Sequence, residues 1–199
     1  MRWYSVLDSV DDLDSLRALC VSCRECPLRK SATQVVFGRG NPNAVLMFVG
    51  EAPGADEDAK GEPFVGKAGQ LLDKIIGAAG IDRSEIYITN VCKCRPPGNR
   101  TPKDSEADAC QPYLTRQIEI IQPRIIVCLG SLATQRLVHP RAKITSVRGK
   151  VFEKGGIKII PTFHPAALLR DPEKKKPVWQ DFKVIRTLYD EVVRCAKAG

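Results

Sequence analysis

Residues 44–49, AVLMFV, run directly into residues 50–58, GEAPGADED. An unbroken apolar run cut off by Gly, Pro and Gly has the length and composition of a buried strand ending in a tight loop. Backbone N–H groups in such a loop can face a ligand. Glu51, Asp56, Glu57 and Asp58 crowd it, at the strand end where open α/β sheets usually bind ligands. Two later stretches are expected to converge there: Thr89–Asn90, and HPA at residues 164–166.

Outward from that loop, strands and helices alternate. In GEPFVGKAGQLLDKIIGAAG, Leu71, Leu72, Ile75, Ile76 and Ala79 mark one helical face, and Gly80 supplies the stop. IYIT at 86–89 is a short strand with Asn90 at its end. A long helix is expected from Asp104 to about Ile121, a strand over 124–130 (RIIVCLG), and a short helix in SLATQRLV. VFEKGGIKIIPTF reads as a strand pair leading into HPAALLRDP. Phe182, Ile185, Leu188, Tyr189, Val192 and Val193 give a final helix its apolar face. The alternation implies α/β architecture: a mostly parallel sheet covered on both faces.

With 199 residues, 43% of them hydrophobic, the chain can bury one substantial core, and one domain over 1–199 is expected. No apolar run approaches the roughly 20 residues that span a bilayer. MRWYSVLDSVDDLD lacks the apolar stretch of a secretory signal, so a cytoplasmic location is expected. Net charge is +8, unevenly spread: residues 1–60 carry 7 basic and 9 acidic side chains, whereas 61–199 carry 24 and 14. That balance favours a polyanionic partner.

Eight cysteines in such a chain point to metal or cluster ligation rather than disulfides. A helix over 12–20 leads into CVSCRECPL, where Cys20, Cys23 and Cys26 recur every third residue before Pro27. C-x-x-C lets two thiolates of one turn reach one metal centre. A full ferredoxin-type run would need a fourth cysteine nearby, so further ligands must come from elsewhere. From spacing alone, zinc and an iron–sulfur cluster stand about even.

Four passages together, CRECPL, GEAPGADED with PFVGKAGQLL, TNVCKCRPPGNRTP and HPAALLR, resemble the family 4 uracil-DNA glycosylases, the iron–sulfur branch of the uracil-DNA glycosylase superfamily. The resemblance covers about Cys23 to Arg170. It implies a three-layer α/β/α sandwich around a central four-stranded parallel sheet. It also implies a 4Fe-4S cluster held by Cys23, Cys26, Cys94 and Cys110, with Cys20 and Cys92 spare. Cys128 and Cys195 are then expected to be buried packing residues.

The same resemblance implies that Asn90 reads the Watson–Crick edge of a flipped uracil and that Glu57 crowds its C5. Phe64, which by itself reads as a plug over the core, would stack on the base. His164 would donate to uracil O2, helped by backbone N–H groups near Glu51 and Ala52. A neutral imidazole suits that role, and His139 is expected on a surface loop. The attacking water has three candidate partners, Glu51, Asn90 and a backbone carbonyl; Glu51 is favoured because carboxylates usually do this work. Ala52 stands where another branch of the superfamily carries an aspartate.

Leu168, Leu169 or Arg170 would fill the space left by the flipped base, with Lys174, Lys175 and Lys176 near phosphates. The implied substrate is uracil-containing single- or double-stranded DNA, acted on by a nucleoid-associated monomer; recruitment by a sliding clamp stays open. Three other readings compete. A relative that captures uracil-DNA covalently carries a histidine-containing insertion after the Asn90 strand, which VCKCRPPGNRTP lacks. A non-catalytic nucleic-acid binder leaves Asn90, Glu57, Phe64 and His164 unexplained, and the scattered cysteines argue against an electron carrier. A phosphate-binding loop is excluded because no Gly-Lys-Ser/Thr follows GEAPGADED.

Overall fold

The protein is described by a computed structural model covering residues 4–198. The ends of the expected 1–199 domain, including the start of MRWYSVLDSVDDLD, lie outside the described residues. The strands are β1 (Arg39–Gly40), β2 (Leu46–Gly50), β3 (Ile86–Asn90), β4 (Ile125–Leu129), β5 (Phe152–Lys154) and β6 (Ile157–Thr162). The helices are α1 (Tyr4–Leu7), α2 (Leu13–Ser22), α3 (Leu28–Ser31), α4 (Ala55–Lys60), α5 (Lys67–Ala78), α6 (Asp104–Ile121), α7 (Ser131–Leu137), α8 (Ile144–Val147), α9 (Pro165–Arg170) and α10 (Lys175–Ala198).

The sheet order is β1-β3-β2-β4-β6-β5. The inner four strands, β3, β2, β4 and β6, are parallel, as expected; β1 and β5 add short antiparallel edges. Every residue of β2, β3 and β4 is buried, the pattern of strands covered on both faces. Alternate residues serve opposite layers. Met47, Val49, Tyr87, Ile126 and Cys128 pack with Leu28, Ala107, Leu114, Ile121, Ala133 and Leu137, from α3, α6 and α7. Leu46, Phe48, Ile86, Ile88, Ile125 and Val127 pack with Leu72, Ile76, Leu168, Val178, Phe182 and Ile185, from α5, α9 and α10. Phe48 and Phe182 stack at 6.1 Å and 16°, worth about 0.5–1.5 kcal/mol beyond their buried area.

Helix starts set the loops that matter. In α4 and α6 a glutamate three residues past the N-cap reaches back to the N-cap N–H: Glu57 to Gly54 (3.1 Å) and Glu106 to Lys103 (2.8 Å). Glu106 also takes a two-pronged bond from Arg100, at 2.8 and 2.7 Å, which ties down the loop before α6. Near the end of β6, buried Asp181 of α10 accepts from Thr162 at 2.6 Å and from Arg148, anchoring the strand two residues before His164.

Three local expectations change. GEAPGADED is loop only to Gly54; Ala55–Lys60 is helical. Within that helix, Asp58 is buried and accepts from the N–H groups of Thr33 and Gln34, so it secures the N-terminal segment. Lys175 and Lys176 open α10, whose apolar face begins at Val178, one turn before the expected Phe182. Among the described residues no helix is long and apolar enough to cross a membrane.

Candidate active site at the carboxyl ends of the parallel strands

β2 has β3 on one side and β4 on the other, so the chain's connections leave it in opposite directions. Outside the carboxyl ends of such strands a crevice opens. Here it is a cavity of about 540 Å³, lined by Glu51, Ala52, Pro53 and Gly54 after β2, Asn90 at the end of β3, and His164, Ala166, Leu169 and Arg170 after β6. Glu57 and Phe64 complete one wall. The expected convergence of the three stretches is therefore present in the fold.

Asn90 is 2% exposed, and its side-chain Oδ1 is buried without a donor. An unmet buried acceptor costs about 1–3 kcal/mol, so an N–H placed against it would be favoured. Phe64 stands beside it in the left-handed region, φ 55°, a strained conformation for an aromatic residue. Two contacts enforce it. A Cβ at Gly69 of α5 would lie 1.8 Å from the Phe64 carbonyl oxygen, so only glycine lets the helix come so close. The Glu57 carboxylate accepts from Val65 N–H (3.0 Å) and Gly66 N–H (2.8 Å), besides Gly54. Glu57 thus staples the β2 loop to the Phe64 loop.

His164 is the N-cap of α9, with Pro165 in the first turn, where its missing N–H costs nothing. Its Nδ1 accepts from Ala166 N–H at 3.1 Å, which leaves the proton of the neutral ring on Nε2. Burial, with Arg170 nearby, pushes its pKa down to about 4, so the ring is neutral at physiological pH. Its ring centroid lies 5.7 Å from that of Phe64, the planes tilted by 31°. Glu51 is half-buried, and burial raises its pKa; a hydrogen bond from Thr101 and the charge of Arg170 oppose the rise.

Of the chain following His164, Leu169 is 49% exposed at the cavity's edge with Arg170 beside it, whereas Leu168 is 1% exposed in the core. Leu168 is thus removed from the expected DNA-facing set, because one helical step turns it inward. Lys174 pairs with Asp171 at 2.8 Å and lies over Phe163; Lys175 is exposed. Asp56 does not line the cavity, and His139 is exposed as expected. Reasoning from sequence missed Pro96, Asn99, Arg100 and Thr101 as a cavity wall. The available signal was Glu106 opening a helix just after GNRTP, which locates that loop.

A second, enclosed cavity gathers six cysteines: Cys20 and Cys23 from the end of α2, Cys26, then Cys92 and Cys94 after β3, and Cys110 on α6. Burial raises Cys20, Cys26 and Cys94, the last to about 12, and the neighbouring Cys110 thiolate adds to the rise at Cys20 and Cys94. Cys110 is drawn down by the Cys92 thiol that hydrogen-bonds to it. Crowded thiols that resist ionisation together are a donor set suited to a thiophilic metal centre, whose positive charge relieves the crowding. Among the described residues no three Cys, His, Asp or Glu side chains close at single-ion distances. Cys128 is buried as expected, but Cys195 is exposed on α10, so its packing role is withdrawn.

An open parallel sheet places a buried amide, an aromatic ring and a neutral imidazole around one crevice, an arrangement able to hold a flat, polar heterocycle. Residues 37–183 match the family model described as the uracil DNA glycosylase superfamily. The chain is 46% identical over 187 residues to a type-4 uracil-DNA glycosylase of Archaeoglobus fulgidus, covering 90% of this chain and 94% of that one. It is 46% identical to a type-4 enzyme of Sulfurisphaera tokodaii, covering 90% and 86%, and 50% identical to one of Thermotoga maritima, covering 75% and 79%. The chain belongs to the uracil-DNA glycosylase superfamily and, within it, to the type-4 uracil-DNA glycosylases.

Proposed function

We propose that this chain, acting as one domain and as a monomer, is a monofunctional glycosylase that removes uracil from DNA and leaves an abasic site. The observation that carries the reading is the buried, donorless Oδ1 of Asn90 beside Phe64 and a neutral His164. A uracil flipped into the crevice would give its N3–H to that oxygen and take a bond at O4 from the Asn90 amide. Phe64 stacks on its face. Glu57, fixed by three N–H groups, stands as a wall against a C5 methyl group.

The bond from N1 to C1′ breaks with its electron pair going to uracil, leaving oxocarbenium character on the sugar. The His164 Nε2–H donates to O2 as charge grows there, together with N–H groups near Ala52. Water, oriented by Glu51, adds its oxygen to C1′. One of its protons is released and the uracil anion takes up a proton at N1. Leu169 and Arg170, at the rim, occupy the gap in the duplex, while Lys175 and, more weakly, the paired Lys174 meet phosphates.

Cys23, Cys26, Cys94 and Cys110 would hold a 4Fe-4S cluster, with Cys92 a hydrogen-bond donor to Cys110 and Cys20 a neighbour. The donor set fits such a group, since thiols from three separate segments line one cavity. Bound there, the cluster would cross-link the N-terminal segment, the loop after β3 and α6.

The test is release of free base from an oligonucleotide carrying one uracil, beside thymine and mismatch controls, with His164→Ala and Asn90→Ala in parallel. Release from uracil alone, falling by orders of magnitude in either variant, supports the pocket. Retention of DNA without release would move the chain to covalent or non-catalytic capture, and release untouched by both changes would sink the mechanism.

A further inference from the structure

Lys93 lies between Cys92 and Cys94 and is 1% exposed, yet the reaction described above does not use it. Its ammonium group has three N–H donors and three acceptors, each at 2.6 Å: Thr89 Oγ1, the Asn90 carbonyl oxygen and Gln117 Oε1 of α6. The network closes on itself, since Thr89 Oγ1 and Gln117 Nε2 both donate to the Phe37 carbonyl oxygen, at 2.8 and 2.9 Å. Among the described residues no carboxylate pairs with Lys93. The backbone of Lys93 is held as firmly: its N–H donates to Cys110 Sγ at 3.2 Å, and its carbonyl oxygen accepts from Val36 at 2.8 Å.

Burying an ammonium group among three uncharged oxygen acceptors is expensive, a cost the neighbouring Cys20, Cys92 and Cys110 sulfurs offset only in part, and a methionine of similar length would fill the space without it. What the methionine could not do is cap the Asn90 carbonyl oxygen. We infer that Lys93 is a positioning residue for the reaction: its side chain fixes the end of β3, and with it the Asn90 amide, to α6 and to the backbone beside the cysteine cluster. This rests on the reading of Asn90 as the base-reading amide. It makes the geometry of that amide depend on a residue whose own main chain is tied to Cys110, so the cysteine cluster and the crevice share one rigid element.

The test is a double-mutant cycle in the iron-loaded full chain, using Lys93→Met, Asn90→Ala and the pair, with base release from a uracil-containing single strand followed together with iron per chain. Lys93→Met is expected to lower kcat about tenfold to a hundredfold with KM little changed and iron content held. In the Asn90→Ala background the same change is expected to cost less than about twofold, because the group it positions is gone. Fully additive losses, or a loss that tracks lost iron, would overturn the inference and leave Lys93 a support of the cluster alone. Should Lys93→Met fail to fold, Gln117→Met removes one of its three acceptors and is expected to show the same non-additivity at smaller size; additivity there overturns it equally. A wild-type chain that releases no uracil would fail the parent reading. Release lost in Asn90→Ala but unchanged in Lys93→Met fails only this one.

Discussion

Gly50, the last residue of β2, lies so close to Asn90 that a Cβ there would sit 2.3 Å from Asn90 Oδ1, and 2.6 Å from Phe64 Cζ. The strand end has no side chain because two side chains from other segments occupy that space. Gly50→Ala should therefore displace both groups at once, lowering base release by about a hundredfold or more. Overpacking costs about 1–3 kcal/mol, so the protein should still fold with a lowered Tm. Unchanged kinetics in a folded Gly50→Ala would show that the two groups do not form the reading site.

Adjacent leucines on α9 should behave oppositely. Leu168→Ala empties a core position and should cost about 2–5 kcal/mol of stability. Leu169→Ala, at an exposed position, should leave Tm nearly unchanged and impair uracil release from duplex more than from single strands. Thermal melts and paired substrates separate the two.

The pH profile follows from His164 and Glu51. Since the imidazole pKa is about 4, the histidine is expected to add no step near pH 6.5; a step there that persists in Glu51→Gln would contradict the neutral-donor role. Glu51, raised by burial, should set an acid limb above the ordinary carboxylate range. Thr101→Val removes a bond that favours the carboxylate and should move that limb upward. For stability the histidine acts in one direction. Its folded pKa lies below the unfolded value, so the folded state binds fewer protons and stability declines as pH falls from about 6.5 toward 4.

Glu57→Gln keeps the shape but replaces one acceptor oxygen with a donor, which must face either Gly54 N–H or the Val65 and Gly66 pair. A loss of about 1–3 kcal/mol is expected. Activity on uracil should fall with it as Phe64 leaves its strained conformation, and discrimination against thymine should weaken. A stable variant with full selectivity would reject the staple.

Lys175→Ala should reduce the slope of DNA affinity against salt concentration by about one counterion, and Lys174→Ala by less, because Asp171 already neutralises Lys174. Binding curves at several salt concentrations measure the difference.

Local composition was enough to place β2 and the long α6 with its expected bounds. Each of these depends on periodicity, chain stiffness or residue chemistry within one segment. The helical half of GEAPGADED was missed because a short helix stapled by one glutamate has almost no apolar period to detect. Which leucine of LL faces inward, and which of the four acidic residues enters the crevice, depended on how α9 and α4 dock against the sheet. The sequence by itself determined the strand–helix alternation and the carboxyl-end location of the crevice. Only the tertiary structure decided that Asn90 Oδ1 is left without a donor, that Phe64 is held at positive φ, and that Lys93 joins the crevice to the cysteine cluster. Those relations pair residues distant in sequence, and no local signal carries the hydrogen bonds that three separate segments make only after they have packed.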